Sequence, residues 1–221
     1  MLKIIVASQS AIKVRAVETV MNNLLGTYGS KMGKTELFLK SLKVEFKDQC
    51  AQPMDEYGLY VCCQRVEWII ENYEEVNDYD LIISIENYIN TVDETDRVII
   101  LLHNIKENKE RIIVSRGIPL PDSKEGKGSV ILEKLRSPEY YHKYGTTKTY
   151  GQFCNELYPK VPSDNWMAYL GDEKNRIDRS TFIKEIMQNQ TLDILSIMNF
   201  VLNSAEATGL AMQEKSEYKT N

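Results

Sequence analysis

The segment Leu2-Lys3-Ile4-Ile5-Val6-Ala7 constrains the fold more than any other. It is a run of branched aliphatic residues broken only by Lys3, without the period-two alternation of a half-buried strand, and it suits a strand buried on both faces. Such a strand needs a layer on each side, which helices supply in α/β domains. The next residues continue that pattern. Ser10 is placed as an N-cap, and Val17, Val20, Met21, Leu24 and Leu25 recur at helical spacing until Gly26 marks the expected end.

The rest of the chain alternates in the same way. Leu42 to Phe46 reads as a short strand and Glu56 to Tyr73 as a helix. Asp80 to Ile85 reads as a buried strand, and Arg97 to His103 pairs with Arg111 to Ser115 as a hairpin across the polar turn Asn104 to Glu110. Val130 to Leu135 is expected as a short amphipathic helix, residues 138 to 165 as irregular and tyrosine-rich, Trp166 to Leu170 as a last strand, and Ser180 to Ala205 as one long helix. The expected architecture is α/β, a mixed twisted sheet flanked by helices. It forms one domain over residues 1–205, followed by a polar C-terminal tail over 206–221.

Composition narrows the partners. A net charge of −5 argues against a nucleic-acid partner, since backbone binding is driven by lysine and arginine neutralising phosphates. No segment approaches the roughly 18 consecutive apolar residues of a membrane span, and the first residues lack a signal-peptide pattern. Cys50, Cys62, Cys63 and Cys154 include no C-x-x-C spacing, against both a disulfide framework and a zinc site. A reducing, cytoplasmic setting is the expectation. The long C-terminal helical run offers a face for a homodimer.

Gly29-Ser30-Lys31-Met32-Gly33-Lys34-Thr35 imitates a P-loop, but the first glycine of that motif is replaced by Tyr28 and the stretch follows a helix, not a strand. Val6-Ala7-Ser8-Gln9-Ser10-Ala11-Ile12-Lys13 carries more chemistry. There a buried strand delivers small polar residues to a helix N-terminus, whose free N–H groups and positive end suit phosphate oxygens, with Lys13 adding a full charge. A capped helix bearing a surface lysine is the alternative. His103 reads as a structural residue of its strand, Tyr140, Tyr141 and Tyr144 as base-stacking or domain-packing rings, and Asp178 as either an orienting partner of Arg179 or a helix cap.

The segment Ser8 to Val17 resembles the (T/S)-x-N-P-x-K-x-x-A-V opening of the inosine/xanthosine triphosphatase family, whose fold is shared with other house-cleaning nucleotide pyrophosphatases. Later landmarks follow in the family's order. Val44-Glu45-Phe46 with Gln52-Pro53 resembles its V-E-S and Q-P elements, Ile85-Glu86-Asn87-Tyr88-Ile89 its I-E-x-G-I, Ser115 with Pro119-Leu120-Pro121 its S…L-P-L-P, and Arg179 its L-T-R. The resemblance implies an inosine triphosphate pyrophosphatase-like architecture and hydrolysis of ITP or XTP to the diphosphate and phosphate. It further implies Mg²⁺, with Mn²⁺ as a substitute, on Glu45 and Glu86. The triphosphate would be wrapped by Ser8, Gln9, Ser10, Ala11, Ile12 and Lys13, catalysis would fall to Lys13 and Glu86, and Glu86, Asn87, Arg65, Ser115 and Arg179 would face the nucleotide.

Departures accompany the matches. Ser10 and Ala11 stand for the family's asparagine and proline, Val61-Cys62-Cys63-Gln64-Arg65-Val66 for its G-A-x-N-R-A, and Tyr88 for a glycine beside the substrate. A catalytically silent nucleotide-binding or protein-interaction module is therefore the alternative, and pyrophosphatase chemistry yielding the monophosphate is a third reading.

Overall fold

A computed structural model describes residues 1–47, 49–121, 129–170, 173–200, 202 and 210. Its elements in chain order are β1 (Leu2–Val6), α1 (Ala11–Met32), β2 (Leu37–Ser41), β3 (Gln52–Pro53), α2 (Tyr57–Asn72), β4 (Leu81–Asn90), β5 (Thr95–Asn104), β6 (Lys109–Val114), β7 (Ile118–Pro119), α3 (Val130–Leu135), β8 (Tyr141–His142), β9 (Gly145–Thr146), α4 (Tyr150–Leu157), α5 (Arg179–Gln188) and α6 (Thr191–Ile197). The architecture is α/β.

The main sheet runs β2-β1-β4-β5-β6, with β7 on β5, while β3-β9-β8 form a small second sheet. β1 pairs parallel with β2 and β4, and β4, β5 and β6 pair antiparallel, so the sheet is mixed. The two-sided burial inferred for the first strand is present. Leu2, Ile4 and Val6 enter an apolar cluster shared with α1 and α5, and Ile5 and Ala7 enter a second cluster shared with α2 on the opposite face.

The chain leaves β1 to lay β2 on one side, then returns to lay β4 on the other. Winding thus reverses beside β1, and in open α/β sheets the crevice outside the carboxyl ends at such a reversal is where ligands bind. Because β1 stops at Val6 opposite Ile83 while β4 continues to Asn90, several residues of β4 overhang that crevice.

Several sequence expectations are corrected. α1 runs through Gly26 to Met32, because a mid-helix glycine costs only about 1 kcal/mol against a buried face, and Gly33 supplies the left-handed cap at φ 66°. The P-loop imitation is thus a helix C-terminus. Leu42–Phe46 is not a strand: β2 occupies Leu37–Ser41, and with Ser41 opposite Val6 the partner strand ends there. Trp166–Ala168 is a 3₁₀ turn whose indole packs on Tyr150 with ring centroids 5.1 Å apart. The long C-terminal helix is two, α5 and α6, broken at Asn189 and Gln190. Most of the tail over 206–221 lies outside the described residues.

The tyrosine-rich region holds α4, started by a full capping box between Thr149 and Gln152. Gly151 within it leaves no room for a side chain, since an added Cβ would lie 1.8 Å from the Ser163 carbonyl oxygen. The Ser163 backbone and the buried Trp166 ring leave little to yield. Gly151→Ala is expected to lower the unfolding free energy by about 3 kcal/mol, the upper part of the overpacking range, read as a shifted urea midpoint. Among the described residues no helix is long and apolar enough to cross a membrane.

Candidate functional site

The site starts from a break in a hydrogen-bond ladder. Along one edge of β4 the Ile83 carbonyl accepts from Ala7 N at 2.9 Å, just past β1, and the Ile89 carbonyl accepts from Asp55 N at 2.9 Å, just past β3. Neither strand covers the stretch between. Buried carbonyls there still need donors, and side chains supply them: Lys13 Nζ at 2.7 Å and Arg65 Nη1 at 3.4 Å to Ile85, and Gln52 Nε2 at 3.1 Å to Asn87. Lys13 from the first turn of α1 and Arg65 from α2, helices on opposite faces of the sheet, therefore meet at the carboxyl end of β1.

Both cations also face Glu86, which is only 8% exposed. Lys13 Nζ lies 3.4 Å from Oε1, and Arg65 Nη2 lies 2.7 Å from Oε2 but off the line a hydrogen bond needs, so Oε2 and Arg65 Nε lack hydrogen-bond partners. Burial pulls the Lys13 ammonium below its usual range, with Glu86 opposing and Arg65 and Arg179 adding to the effect. For Glu86, burial pushes upward, yet Lys13 and Arg65 outweigh it and hold the carboxyl below its ordinary 4.5. The stability Glu86 contributes is then present above the ordinary value and lost as pH falls through the lower folded one. Acid titration should accordingly show a shallower loss of stability for Glu86→Gln than for the parent in that window.

A second charged set lies alongside. Asp96 on β5 is fully buried and accepts from Asn87 Nδ2 at 3.3 Å and Arg179 Nη2 at 3.0 Å. Burial raises its carboxyl above the usual range, while Arg179, Asn87 and the Trp166 indole each favour its ionised form. With all five groups ionised, Lys13, Arg65 and Arg179 face two carboxylates, Glu86 and Asp96, leaving one net positive charge.

These groups wall a cavity of about 230 Å³ lined by Lys13, Gln52, Glu86, Asn87, Gln152 and Arg179, among others. A neighbouring cavity of about 220 Å³ is lined by Ser8, Gln9, Glu45, Gln49 and Arg65. Each is smaller than the roughly 300–1,000 Å³ of ordinary ligand pockets. Four buried polar atoms here, Arg65 Nε, Glu86 Oε2, Asn87 Oδ1 and Arg179 Nε, have no hydrogen-bond partner within the protein, Glu86 Oε2 having only its ion pair with Arg65. Native interiors rarely leave such atoms unpaired, and a cluster of them marks a place for a polar ligand or water. A larger cavity, about 360 Å³, lies at the other end of β1, where Asp80 accepts from both Lys34 and Lys106.

Of the residues singled out in the sequence, Lys13, Glu86, Asn87 and Arg179 converge on the first cavity, and Arg65, Ser8 and Gln9 on the second. Ser10 holds the N-cap position without a side-chain bond, its N–H donating to Ser8 Oγ at 3.1 Å, and Ile12 packs on the larger apolar cluster. Ala11 is exposed. Ser115 is committed to backbone, accepting from Val98 N at 2.8 Å and donating to the Arg116 carbonyl at 2.7 Å. Tyr88 turns its ring onto Gly58, where an added Cβ would lie 2.7 Å from the ring, and is not among the residues lining the first cavity. Asp178 caps α5, accepting from Thr181 N at 3.0 Å.

Glu45 lies on the loop after β2 with its side chain 70% exposed and paired with Lys43 at 2.5 Å. Glu86 is held between two cations, and no group of three or more histidine, cysteine, aspartate or glutamate side chains suited to a metal occurs among the described residues. Glu86 Oε2, ion-paired with Arg65 but without a hydrogen bond, fits Mg²⁺ only as a single carboxylate ligand, once that pair opens, to an ion that arrives on phosphate oxygens, a mode common for this hard cation. It does not fit an ion held by protein alone.

Asp96 and the Thr149–Gln152 and Ser163–Asp164 walls were not anticipated from sequence. The Thr149-x-x-Gln152 spacing is a capping-box signal that would have found α4. Asp96, at the start of an apolar strand, carried no comparable sign.

Fold and site together define a doubly wound α/β protein with a polar crevice of opposed charges at the point where its winding reverses. No family model matches the sequence, and no curated protein matches it. The chain is similar in structure to protein VC0702 from Vibrio cholerae, with a TM-score of 0.60 and 18% identity over 90% of this chain and 96% of that one. At that identity the likeness speaks to the fold, and it agrees with the α/β mixed sheet described above.

Proposed function

We propose that the crevice binds a purine nucleoside triphosphate of the ITP or XTP kind and hydrolyses it to the diphosphate and phosphate. The observation that supports this reading best is the cluster of unpartnered buried polar atoms beside three cationic side chains. The phosphates lie along Lys13, Arg65 and the Ser8–Gln9 loop, and the base lies against Asn87 and Arg179. Lys13 and Arg65 turn from Glu86 to the phosphate oxygens and offset the charge that develops as water attacks the terminal phosphorus in line and the bridging P–O bond breaks. Glu86, released from its cations, faces the attacked phosphate. Mg²⁺, or Mn²⁺ in its place, supplies Lewis-acid polarisation of the phosphoryl oxygens when it arrives with the substrate.

One observation favours a second reading: both cations already have Glu86 as a counter-charge, and Glu45, on the wall of the second cavity, is paired with Lys43, an arrangement suited to binding without turnover. Phosphate release from ITP, XTP, ATP and GTP with Mg²⁺ separates the two. Hydrolysis by the parent that is lost in Glu86→Gln and Lys13→Ala is expected, with chromatography showing diphosphate and not monophosphate. Equal release from all three proteins would remove the assigned site, and nucleotide binding with no release would select the silent module.

A further inference from the structure

Asn87 and Arg179 both lean on one carboxylate, and that contact fixes which of their atoms remain for a ligand. Asp96 Oδ1 takes the Asn87 amide N–H, which leaves Asn87 Oδ1 as the remaining acceptor, since the flipped amide would set oxygen against carboxylate oxygen. Asp96 Oδ2 takes Arg179 Nη2 and leaves Nε–H as a donor. Both leftover atoms are buried and unpartnered, and both residues line the first cavity. The carboxylate itself is 0% exposed and receives a further hydrogen bond from Trp166, so three separate parts of the chain hold it still.

We propose that Asp96 is the positioning residue for base selection, resting on the nucleotide-binding reading above. By orienting Asn87 and Arg179 it presents an acceptor beside a donor, and the matching ligand edge is a cyclic amide with C=O next to N–H. A 6-oxopurine has that edge. A 6-aminopurine presents the reverse, an amino donor where Arg179 also donates and a ring-nitrogen acceptor where Asn87 also accepts, and buried mismatches of this kind are what hydrogen-bonding sites reject most strongly. In Asp96→Asn the new side chain is both donor and acceptor, Asn87 is free to flip, and the polarity is no longer dictated.

Calorimetric titration of the full chain with the Mg²⁺ complexes of inosine and adenosine 5′-triphosphates tests this. The parent should prefer the inosine nucleotide by about tenfold or more, and Asp96→Asn should bring the two affinities within about threefold of each other. A merely structural role would lower both affinities and leave their ratio alone, and a ratio unchanged in Asp96→Asn overturns the proposal. A parent that binds both nucleotides equally overturns it while nucleotide binding stands, whereas a parent that binds neither removes the proposed function and this inference with it. Should Asp96→Asn not fold, Arg179→Lys keeps a cation for Asp96 but removes the Nε donor. Loss of preference in that variant supports the proposal, and a preserved preference overturns it.

Discussion

Glu86→Gln is expected to be among the most destabilising single changes in this protein, lowering the unfolding free energy by about 3–5 kcal/mol. Glu86 is the counter-charge that Lys13 and Arg65 share in a crevice where it is itself 8% exposed, and its removal leaves both cations in a buried site without it. The Ile85 carbonyl, which accepts from the same two side chains, carries a partial charge and cannot replace a carboxylate. Urea denaturation of parent and variant measures the loss. Inorganic triphosphate should restore stability to the variant more than it raises that of the parent, because a polyanion supplies the missing charge and binds the folded state alone. A variant as stable as the parent would mean that Glu86 does not balance the pair.

Lys13→Ala is expected to weaken binding of Mg²⁺–nucleotide by about 10- to 100-fold, the worth of one charge-assisted hydrogen bond of roughly 1.5–3 kcal/mol. Lys13 sits in the first turn of α1, so its ammonium adds to the helix N-terminus that points into the same crevice. Fluorescence titration gives the ratio of affinities. Lys34→Ala, at the opposite end of β1 and paired with Asp80, should leave it unchanged. Equal losses in the two variants would show a general effect of charge on the protein.

Local composition made some of this legible and geometry hid the rest. The β1 run announced two-sided burial because nothing in it can face water except Lys3, and α2, β4, β5 and β6 likewise carried their own patterns. Lys13 and Arg65 were legible as polar residues at fixed places on helices. Their meeting at Ile85 was not, because it depends on β1 and the Met54–Asp55 segment after β3 sharing one edge of β4 and leaving a carbonyl between them. Leu42–Phe46 shows the same limit, since its alternation is real and only the length of β1 decides that no partner strand reaches it. Asp96 was hidden for a related reason. Its importance lies in two partners, Asn87 and Arg179, the second of them 83 residues away in the chain.

The central claim is that helices from opposite faces of the sheet bring Lys13 and Arg65 to one polyphosphate, with Glu86 holding their places in its absence. A crystal structure of the full chain with Mg²⁺ and a non-hydrolysable inosine triphosphate tests it most directly. The prediction is phosphate oxygens within hydrogen-bond distance of Lys13 Nζ and the Arg65 guanidinium, both drawn away from Glu86, and the base beside Asn87 and Arg179. A nucleotide bound elsewhere, with the Lys13–Glu86–Arg65 set intact, would contradict it.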